Sequence, residues 1–343
     1  MERRTTKDIV ESIRRGTRYL YRDELKYKRA DFIAPFNIDR VEYAVFQGDV
    51  EPEDFYLMAL VYEACYATPE FLYFRIKTGL GRNERACVEI DKAGLLDGMG
   101  ALNRRMERLA SLGFFFCHEA LAAGATKKDR IYYCTMEGFR AFTHRLEKRM
   151  SYNRTLIYRP MHDVFRFLAT NVALYALYKN PNFRKLWHYE MFDLKKPGEK
   201  KTVQEEVYGR ILFQKPDSNH KVYVIVEPVY FRCDTTYVTD EDNRAYIAER
   251  LGKVRQIVET FNETEDTEAY ALILVEDAVG MKKLQDFIAT QDLSFYVKSC
   301  VYTSENTVFD ASMKGGDGTD SMLGLAVKDG EIKFKQRTLP GSI

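Results

Sequence analysis

The sequence predicts a two-domain protein of the α+β or α/β class. Its 343 residues exceed the about 100–200 residues of an ordinary domain. Its composition, with 45% hydrophobic and 13% aromatic residues, supplies a sizeable core and excludes disorder for most of the chain. The pattern changes near residue 150, from helices followed by a strand pair to alternating helices and strands. We therefore expect a basic arm over 1–49, a first domain over 50–150 and a second domain over 151–343.

The overall charge is balanced, with 52 basic and 51 acidic residues and a net charge of +1. This balance excludes a uniformly basic nucleic-acid coat but allows one basic and one acidic region. The six cysteines form no C-x-x-C pair, so a zinc site of the usual spacing is not expected. The opening MERRTTKDIVESIRR has no apolar signal region, and no stretch of about 18 uncharged apolar residues occurs. We expect a cytoplasmic protein without a membrane partner.

The arm is rich in basic residues. Within 2–29, ten Lys or Arg residues stand against five Asp or Glu residues, a net charge of +5. Ile9, Ile13 and Leu20 predict a short amphipathic helix there. A solvated helix face explains this charge, and contact with nucleic acid is the alternative.

Helical patterns come first in the predicted first domain. Residues 53–66 have apolar residues at helical spacing, and a Thr-Pro pair at 68–69 predicts the start of a second helix. A third helix is predicted over about 97–112, with Gly113 as its C-cap. FFFCHE and IYYC then predict the two strands of a hairpin around a polar tip, and a further helix follows. No element is predicted for 80–96.

This order is that of a winged helix-turn-helix. The phrase LNRRMERLASLGF (102–114) resembles a recognition helix and its exit, and IYYCTMEG (131–138) resembles the returning strand of a wing and its turn. The resemblance implies a DNA-binding domain of about a hundred residues with double-stranded DNA as its partner. The segment 80–96 departs from this pattern, because it is longer than a turn between two helices.

The third helix separates apolar from basic residues. At about 100° per residue, one side carries Leu102, Met106 and Leu109. The opposite side carries two arginines, with a third at the border. The arginine fork matches guanine or phosphate, and an asparagine amide matches adenine. With the wing tip, this predicts seven DNA-binding residues: Asn103, Arg104, Arg105, Arg108, Lys127, Lys128 and Arg130. The alternative is an ordinary solvated helix face and a charged hairpin turn.

The second domain alternates helices and strands in the order α-β-β-β-α-β-α-β. The predicted elements are a helix over 161–180, strands near 184–192, 207–213 and 221–232, a helix over 240–261, a strand over 270–276, a helix over 281–288 and a strand over 294–302. KGGDGTD (314–320) predicts a loop, and Asp329-Gly330 predicts the turn of a terminal hairpin.

Three features of the second domain resemble the replication-relaxation family of plasmid and mobile-element proteins. They are His162-Asp163 at the start of the first helix, YGRIL at 208–212 and VIVE at 224–227. That family is similar to the PD-(D/E)XK nuclease fold, so the resemblance implies a mixed-sheet, nuclease-like domain. It also implies a DNA-binding protein of a mobile genetic element that acts in replication, relaxation or regulation.

A nuclease of that fold needs an Asp and a Glu on adjacent strands to hold magnesium, and a nearby Lys. Glu227 fits the Glu position, but residue 229 is Val, and the preceding predicted strand carries no Asp. Glu190 is the other weak catalytic candidate, and Lys221 and Lys253 are the nearest lysines by chain position. We expect a nuclease-like domain without an intact metal site, and hence no catalytic residue, metal or cofactor.

Two alternatives stay open. One is an endonuclease that uses Glu227 with magnesium, and the other is a protein–protein interaction scaffold. The region 234–268 carries ten acidic and four basic residues, so it repels a phosphate backbone. We expect DNA at the N-terminal half, and a protein partner or a second copy of the chain at the C-terminal domain.

Overall fold

The computed structural model describes residues 26–29, 38–78, 84–92, 94, 97–121, 129–153, 159, 161–195, 202–231, 240–263, 266–304, 307–308, 319, 322–328 and 331–342. The chain is a mixed α+β protein that divides into two units, 1–168 and 169–343. The division falls later than the expected 150/151. Among the described residues, no helix has the length and apolar character needed to cross a lipid bilayer.

The first unit combines a small sheet with six helices in its described part, before the helix that leads into the second unit. The elements are β1 (Lys26–Arg29), α1 (Ile38–Phe46), α2 (Pro52–Glu63), α3 (Pro69–Thr78), α4 (Glu84–Lys92), α5 (Met99–Ser111), β2 (Phe115–Leu121), β3 (Asp129–Cys134) and α6 (Met136–Arg145). The three predicted helices and the hairpin are confirmed as α2, α3, α5 and β2–β3. The helix predicted from Ile9, Ile13 and Leu20 lies outside the described residues.

Two findings correct the expected layout of this unit. The segment 80–96 contains helix α4, in which Ala86 and Ile90 are buried one turn apart. The region 1–49, expected to be a basic arm, contains two regular elements, β1 and α1. Strand β1 pairs antiparallel with β2, with Arg29 opposite His118, so the small sheet has the order β1-β2-β3.

The core of the first unit lies between α2, α5 and the sheet. Helix α2 is buried on most of its surface, because Leu57, Met58, Leu60 and Val61 are all enclosed. The predicted apolar side of α5 is likewise completely buried. Ala67, between α2 and α3, forms an isolated antiparallel bridge with Tyr132 of β3, which ties the α2–α3 connection to the hairpin.

The turn from α5 into β2 is held by two glycines. Gly113 ends α5 with φ +96°, a left-handed conformation that favours glycine, and the Phe114 N–H donates to the Leu109 carbonyl at 3.0 Å. Thr135 caps α6 by accepting from the Gly138 N–H at 3.1 Å, and its hydroxyl donates to the Gly113 carbonyl at 2.7 Å. A Cβ built on Gly138 would lie 2.3 Å from the Phe114 carbonyl oxygen, so this position has room only for glycine.

The second unit is built on a seven-stranded mixed sheet. Its elements are the C-terminal part of α7 (Met161–Leu177), then β4 (Phe183–Lys195), β5 (Thr202–Phe213), β6 (Lys221–Pro228), α8 (Asp240–Asn262), β7 (Thr267–Val275), α9 (Ala278–Ile288), α10 (Leu293–Lys298), β8 (Cys300–Ser304), β9 (Leu323–Lys328) and β10 (Glu331–Gln336). The strand order is β10-β9-β8-β7-β6-β5-β4, and β6, β7 and β8 run parallel while the other neighbours are antiparallel.

The predicted order of elements in this unit is confirmed, with two corrections. The segment 294–302 was expected to be one strand, but its first part is helix α10 and the strand begins at Cys300. Strands β4 and β5 are longer than expected, since β5 already begins at Thr202. The terminal hairpin pairs Lys328 with Glu331, and the two predicted turn residues between them lie outside the described part, as does KGGDGTD except for Thr319.

The core of the second unit lies between the sheet and helices α8, α9 and α10. Helix α8 contributes Ile247, Leu251, Val254 and Val258 to it, and β7 contributes Ala271 and Ile273. The spacing of these α8 residues is that of one helix face, so the opposite face of α8 stays exposed.

Candidate nucleic-acid interface

Helix α5 presents two arginines on the side opposite its buried face. Arg104 and Arg108 are exposed one turn apart, as the helical projection predicts. Within the described residues, Arg104 has no carboxylate partner. The Arg108 guanidinium donates to Asp49 Oδ1 at 3.0 Å, and both side chains are about half exposed, at 49% and 45%. An ion pair so open to water is worth at most about 1 kcal/mol, so a phosphate can replace Asp49 as the partner of Arg108.

Arg105 has a different role from the one that the sequence predicts. Its guanidinium donates to both oxygens of Asp54, a completely buried residue of α2. Burial alone would lower the pKa of Arg105, but the hydrogen bonds and the charge of Asp54 raise it. Asp54 also accepts the Glu51 backbone N–H at 2.7 Å at the start of α2. Arg105 therefore links α5 to α2 through an ion pair rather than facing solvent.

Asn103 is partly buried on α5. Its Oδ1 atom is enclosed and has no hydrogen-bond partner among the described residues. A buried amide oxygen without a partner is rare in folded proteins. Asn103 is thus less accessible for base recognition than its position beside Arg104 suggests.

Arg130 joins the hairpin to α5. It lies on β3 and forms ion pairs with Glu107 of α5 and, at 3.3 Å, with Glu119 of β2. Glu119 is almost fully buried, which favours a stable pairing. The other two predicted residues of the wing tip, Lys127 and Lys128, lie outside the described part. These ion pairs therefore hold the base of the hairpin beside α5.

A second group of exposed basic residues and a histidine, not predicted from the sequence, lies on and after α6. Arg140, His144, Arg145 and Arg149 are all exposed. The signal for it is the run THRLEKR at 143–149, in which four of seven residues are basic or His. Since the cap residue Thr135 bonds to Gly113, the start of this helix adjoins the end of α5.

The first candidate catalytic carboxylate of the second unit, that of Glu227, forms an ion pair with an arginine. Glu227 lies near the end of β6 and is completely buried. Its two carboxylate oxygens accept hydrogen bonds from Nε and a terminal nitrogen of Arg250, at 2.9 and 2.7 Å. Arg250 also donates to the Glu206 carbonyl at 3.1 Å and lies over the Tyr208 ring. The carboxylate is thus held in a two-point ion pair.

The nearest lysine from α8 is also paired. Lys253 Nζ lies 3.1 Å from Glu205 and 2.8 Å from Glu249. Burial alone would lower the pKa of Lys253, but its hydrogen bonds with the two carboxylates raise it, so the amine stays charged. The arrangement joins β5 to α8 through an ion pair rather than directing Lys253 at Glu227.

The second candidate, Glu190, is held in the same way. Arg210 of β5 donates to both of its carboxylate oxygens, at 2.7 and 3.0 Å. The guanidinium carbon also lies 3.8 Å from the centre of the Trp187 ring and 4.9 Å from that of Tyr223. Stacking on aromatic faces and bidentate pairing are both typical of a structural arginine.

Two aromatic rings of β4, on either side of Tyr189, contact Arg210. Trp187 and Phe192 are five residues apart, so a regular strand would point them to opposite faces of the sheet. Both rings nevertheless lie within 5.3 Å of the Arg210 guanidinium carbon. Tyr189 between them has φ +37°, a left-handed conformation that is rare for a residue with a side chain. This irregular residue lies between the two rings, and no sequence pattern predicts that both rings meet Arg210.

Among the residues that the structure describes, no three His, Cys, Asp or Glu side chains converge in a way that could hold a metal ion.

Comparison of the chain with protein-family models, with curated proteins and with solved structures finds no match in any of the three.

Proposed function

We propose that the chain is a DNA-binding protein whose first unit is a winged helix-turn-helix, as in the replication-relaxation family of mobile elements. The order of elements in this unit supports the proposal, because it is similar to that of a winged helix-turn-helix. The elements are α2, the Ala67 bridge, α3, α5 and the β2–β3 hairpin. Helix α4 is then an insertion between the two helices of the helix-turn-helix. Double-stranded DNA is the proposed partner.

The observation that carries the proposal is the two-sided character of α5. One side is completely buried in the domain, and the other exposes Arg104 and Arg108 one turn apart, directly before the hairpin. A helix that reads the major groove must pack one side on its domain and turn basic or amide side chains to the DNA. Arg130, paired with Glu107, keeps the hairpin beside this helix and is not itself a proposed contact.

For the second unit we propose a nuclease-like fold without catalysis, which serves association with a partner protein or a second copy. The ion pairs of Arg250 with Glu227 and of Arg210 with Glu190 support this, because they occupy both candidate carboxylates. The region 234–268 carries ten acidic and four basic residues, and this net negative charge repels phosphate. DNA is therefore proposed to contact the first unit.

Duplex binding measured against salt concentration tests the DNA proposal. If about five phosphates are contacted, log affinity falls against log salt with a slope of about −4 to −5. The variant R104A/R108A should bind about tenfold or more weakly and should reduce the steepness of the slope by about two. The matched control K282A/K335A removes the same charge from two exposed positions of the second unit and should leave binding nearly unchanged.

The outcome that contradicts the proposal is equal binding by the two double variants. A wild-type protein that binds no duplex, or binds with a flat response to salt, would favour the interaction scaffold instead. Thermal unfolding of each variant should stay close to that of the wild type, because substitutions at exposed positions change stability by less than about 0.5 kcal/mol.

A further inference from the structure

Helix α1 exposes two aromatic side chains on one face. Phe46 is 86% exposed and Tyr43 is 62% exposed, and residues three apart on a helix are neighbours. The opposite side of the helix is buried through Val41 and Ala44. A single exposed aromatic residue is ordinary, but two neighbouring ones on one short helix form an apolar patch that is typical of a binding surface.

This aromatic face is fixed to the end of α5. A Cβ built on Gly113 would lie 3.0 Å from Val41 Cγ2, so α1 packs on the turn that ends α5. The Asp49 N–H donates to the Ala44 carbonyl at 2.9 Å, and the Asp49 carboxylate pairs with Arg108 at 3.0 Å. Helix α1, which carries Tyr43 and Phe46, is therefore packed on the end of α5, and the turn after it contacts Arg108.

The charges around the two rings restrict the kind of ligand. Glu42, one turn before Phe46, is an exposed carboxylate that repels a phosphate placed on the rings. The faces of nucleic-acid bases carry no charge and stack on aromatic rings. Phosphates are attracted instead to Arg104 and Arg108 on the adjacent helix. The combination fits a strand whose backbone follows α5 while its bases reach α1.

We propose that Tyr43 and Phe46 form a stacking platform for unpaired bases, so that the protein prefers DNA with a single-stranded or opened region over intact duplex. This inference rests on the proposed DNA-binding function and adds a substrate class to it. Inside a duplex the base faces are covered by their neighbours, so only an unpaired, flipped or terminal base offers a face to the rings.

The test compares a fluorescent blunt duplex with the same duplex that carries an unpaired stretch. The wild type should bind the second more tightly, and Y43A/F46A should lose about tenfold or more of that affinity while its duplex affinity is kept. V45A is the matched control, since Val45 is an exposed apolar residue of the same helix. F46W restores an aromatic face and should restore the preference. Quenching of 2-aminopurine in the unpaired stretch should report stacking in the wild type and not in Y43A/F46A.

Several results would overturn the inference. The stacking platform is refuted if the wild type binds the two DNAs equally or if Y43A/F46A binds them as the wild type does. Neither result contradicts the proposal of duplex binding. If sedimentation shows a dimer for the wild type and a monomer for Y43A/F46A, the face would be assigned to self-association instead. If the wild type binds neither DNA, the proposed function itself fails, and R104A/R108A will then behave as the wild type does.

Discussion

The buried ion pair between Glu227 and Arg250 offers a sharp test of the second unit. Arg250→Met removes a guanidinium that donates two hydrogen bonds to the carboxylate and one to the Glu206 carbonyl. Methionine keeps the apolar stem that packs near Tyr208. The variant therefore measures the loss of charge and hydrogen bonds, with little loss of packing.

The size of the effect follows from burial. Glu227 is 1% exposed and Arg250 is 5% exposed, so removal of one partner leaves the other charge in the interior without a counter-ion. Such a loss costs about 3–5 kcal/mol, against a total stability of about 5–15 kcal/mol for an ordinary domain. Glu227→Met should cost a similar amount, because it leaves Arg250 unpaired. The double variant should lie within about 2 kcal/mol of the wild type, since apolar replacement of a buried pair is often nearly neutral.

The assay is urea unfolding followed by tryptophan fluorescence. The chain has one tryptophan, Trp187, and it lies in the second unit, so its signal reports that unit. Arg255→Met is the matched control on the same helix. Arg255 pairs with Glu259 at 2.8 Å and with Asp292 at 3.2 Å, but all three side chains are well exposed, so the cost should be about 1 kcal/mol or less. If R250M is as mild as R255M, the buried pair does not hold the structure together and the reasoning fails.

Three other predictions follow from individual contacts. Gly138→Ala should destabilise the first unit by about 2 kcal/mol or more, because its Cβ would lie 2.3 Å from the Phe114 carbonyl oxygen, and thermal unfolding checks this; a neutral result would mean that the turn can shift. Burial raises the pKa of the Cys65 and Cys117 thiols to about 12, so both should resist iodoacetamide at pH about 8 until urea is added, as read by mass spectrometry of peptides; rapid native labelling would contradict their burial. Supercoiled DNA with magnesium or manganese should stay intact, since Arg250 occupies both oxygens of Glu227; nicking that disappears in Glu227→Gln would move the protein to the endonuclease class.

Local patterns in the sequence predicted the elements because their causes are local. The face of α5 followed from apolar spacing, its end followed from Gly113, and the terminal hairpin followed from a turn pair between two strands. Helix α4 was missed because its nine residues have only two enclosed apolar side chains in the described part, Ala86 and Ile90. So short a signal does not separate a helix from a loop.

The partners of the arginines could not be predicted, because they are distant along the chain. Asp54 precedes Arg105 by 51 residues and Asp49 precedes Arg108 by 59, so only the fold brings each pair together. Three neighbouring arginines on one helix therefore have different environments: Arg105 is paired with a buried acid, Arg108 with an exposed one, and Arg104 with none among the described residues. The choice of Arg104 and Arg108 as proposed DNA contacts depends on this difference.

The same long-range pairing bears on the proposal that the second unit is nuclease-like without catalysis. Magnesium needs oxygen ligands with free lone pairs and usually keeps several waters. Glu227 is enclosed, and both of its oxygens are bonded to Arg250. A metal at this carboxylate would have to displace Arg250, which would leave a guanidinium in the interior without its counter-ion at a cost of about 3–5 kcal/mol. Arg250 thus supplies the positive charge that a metal would otherwise bring, and the ion pair connects β6 to α8 as a structural link. We therefore propose that this unit acts through its surface rather than at the ends of its strands.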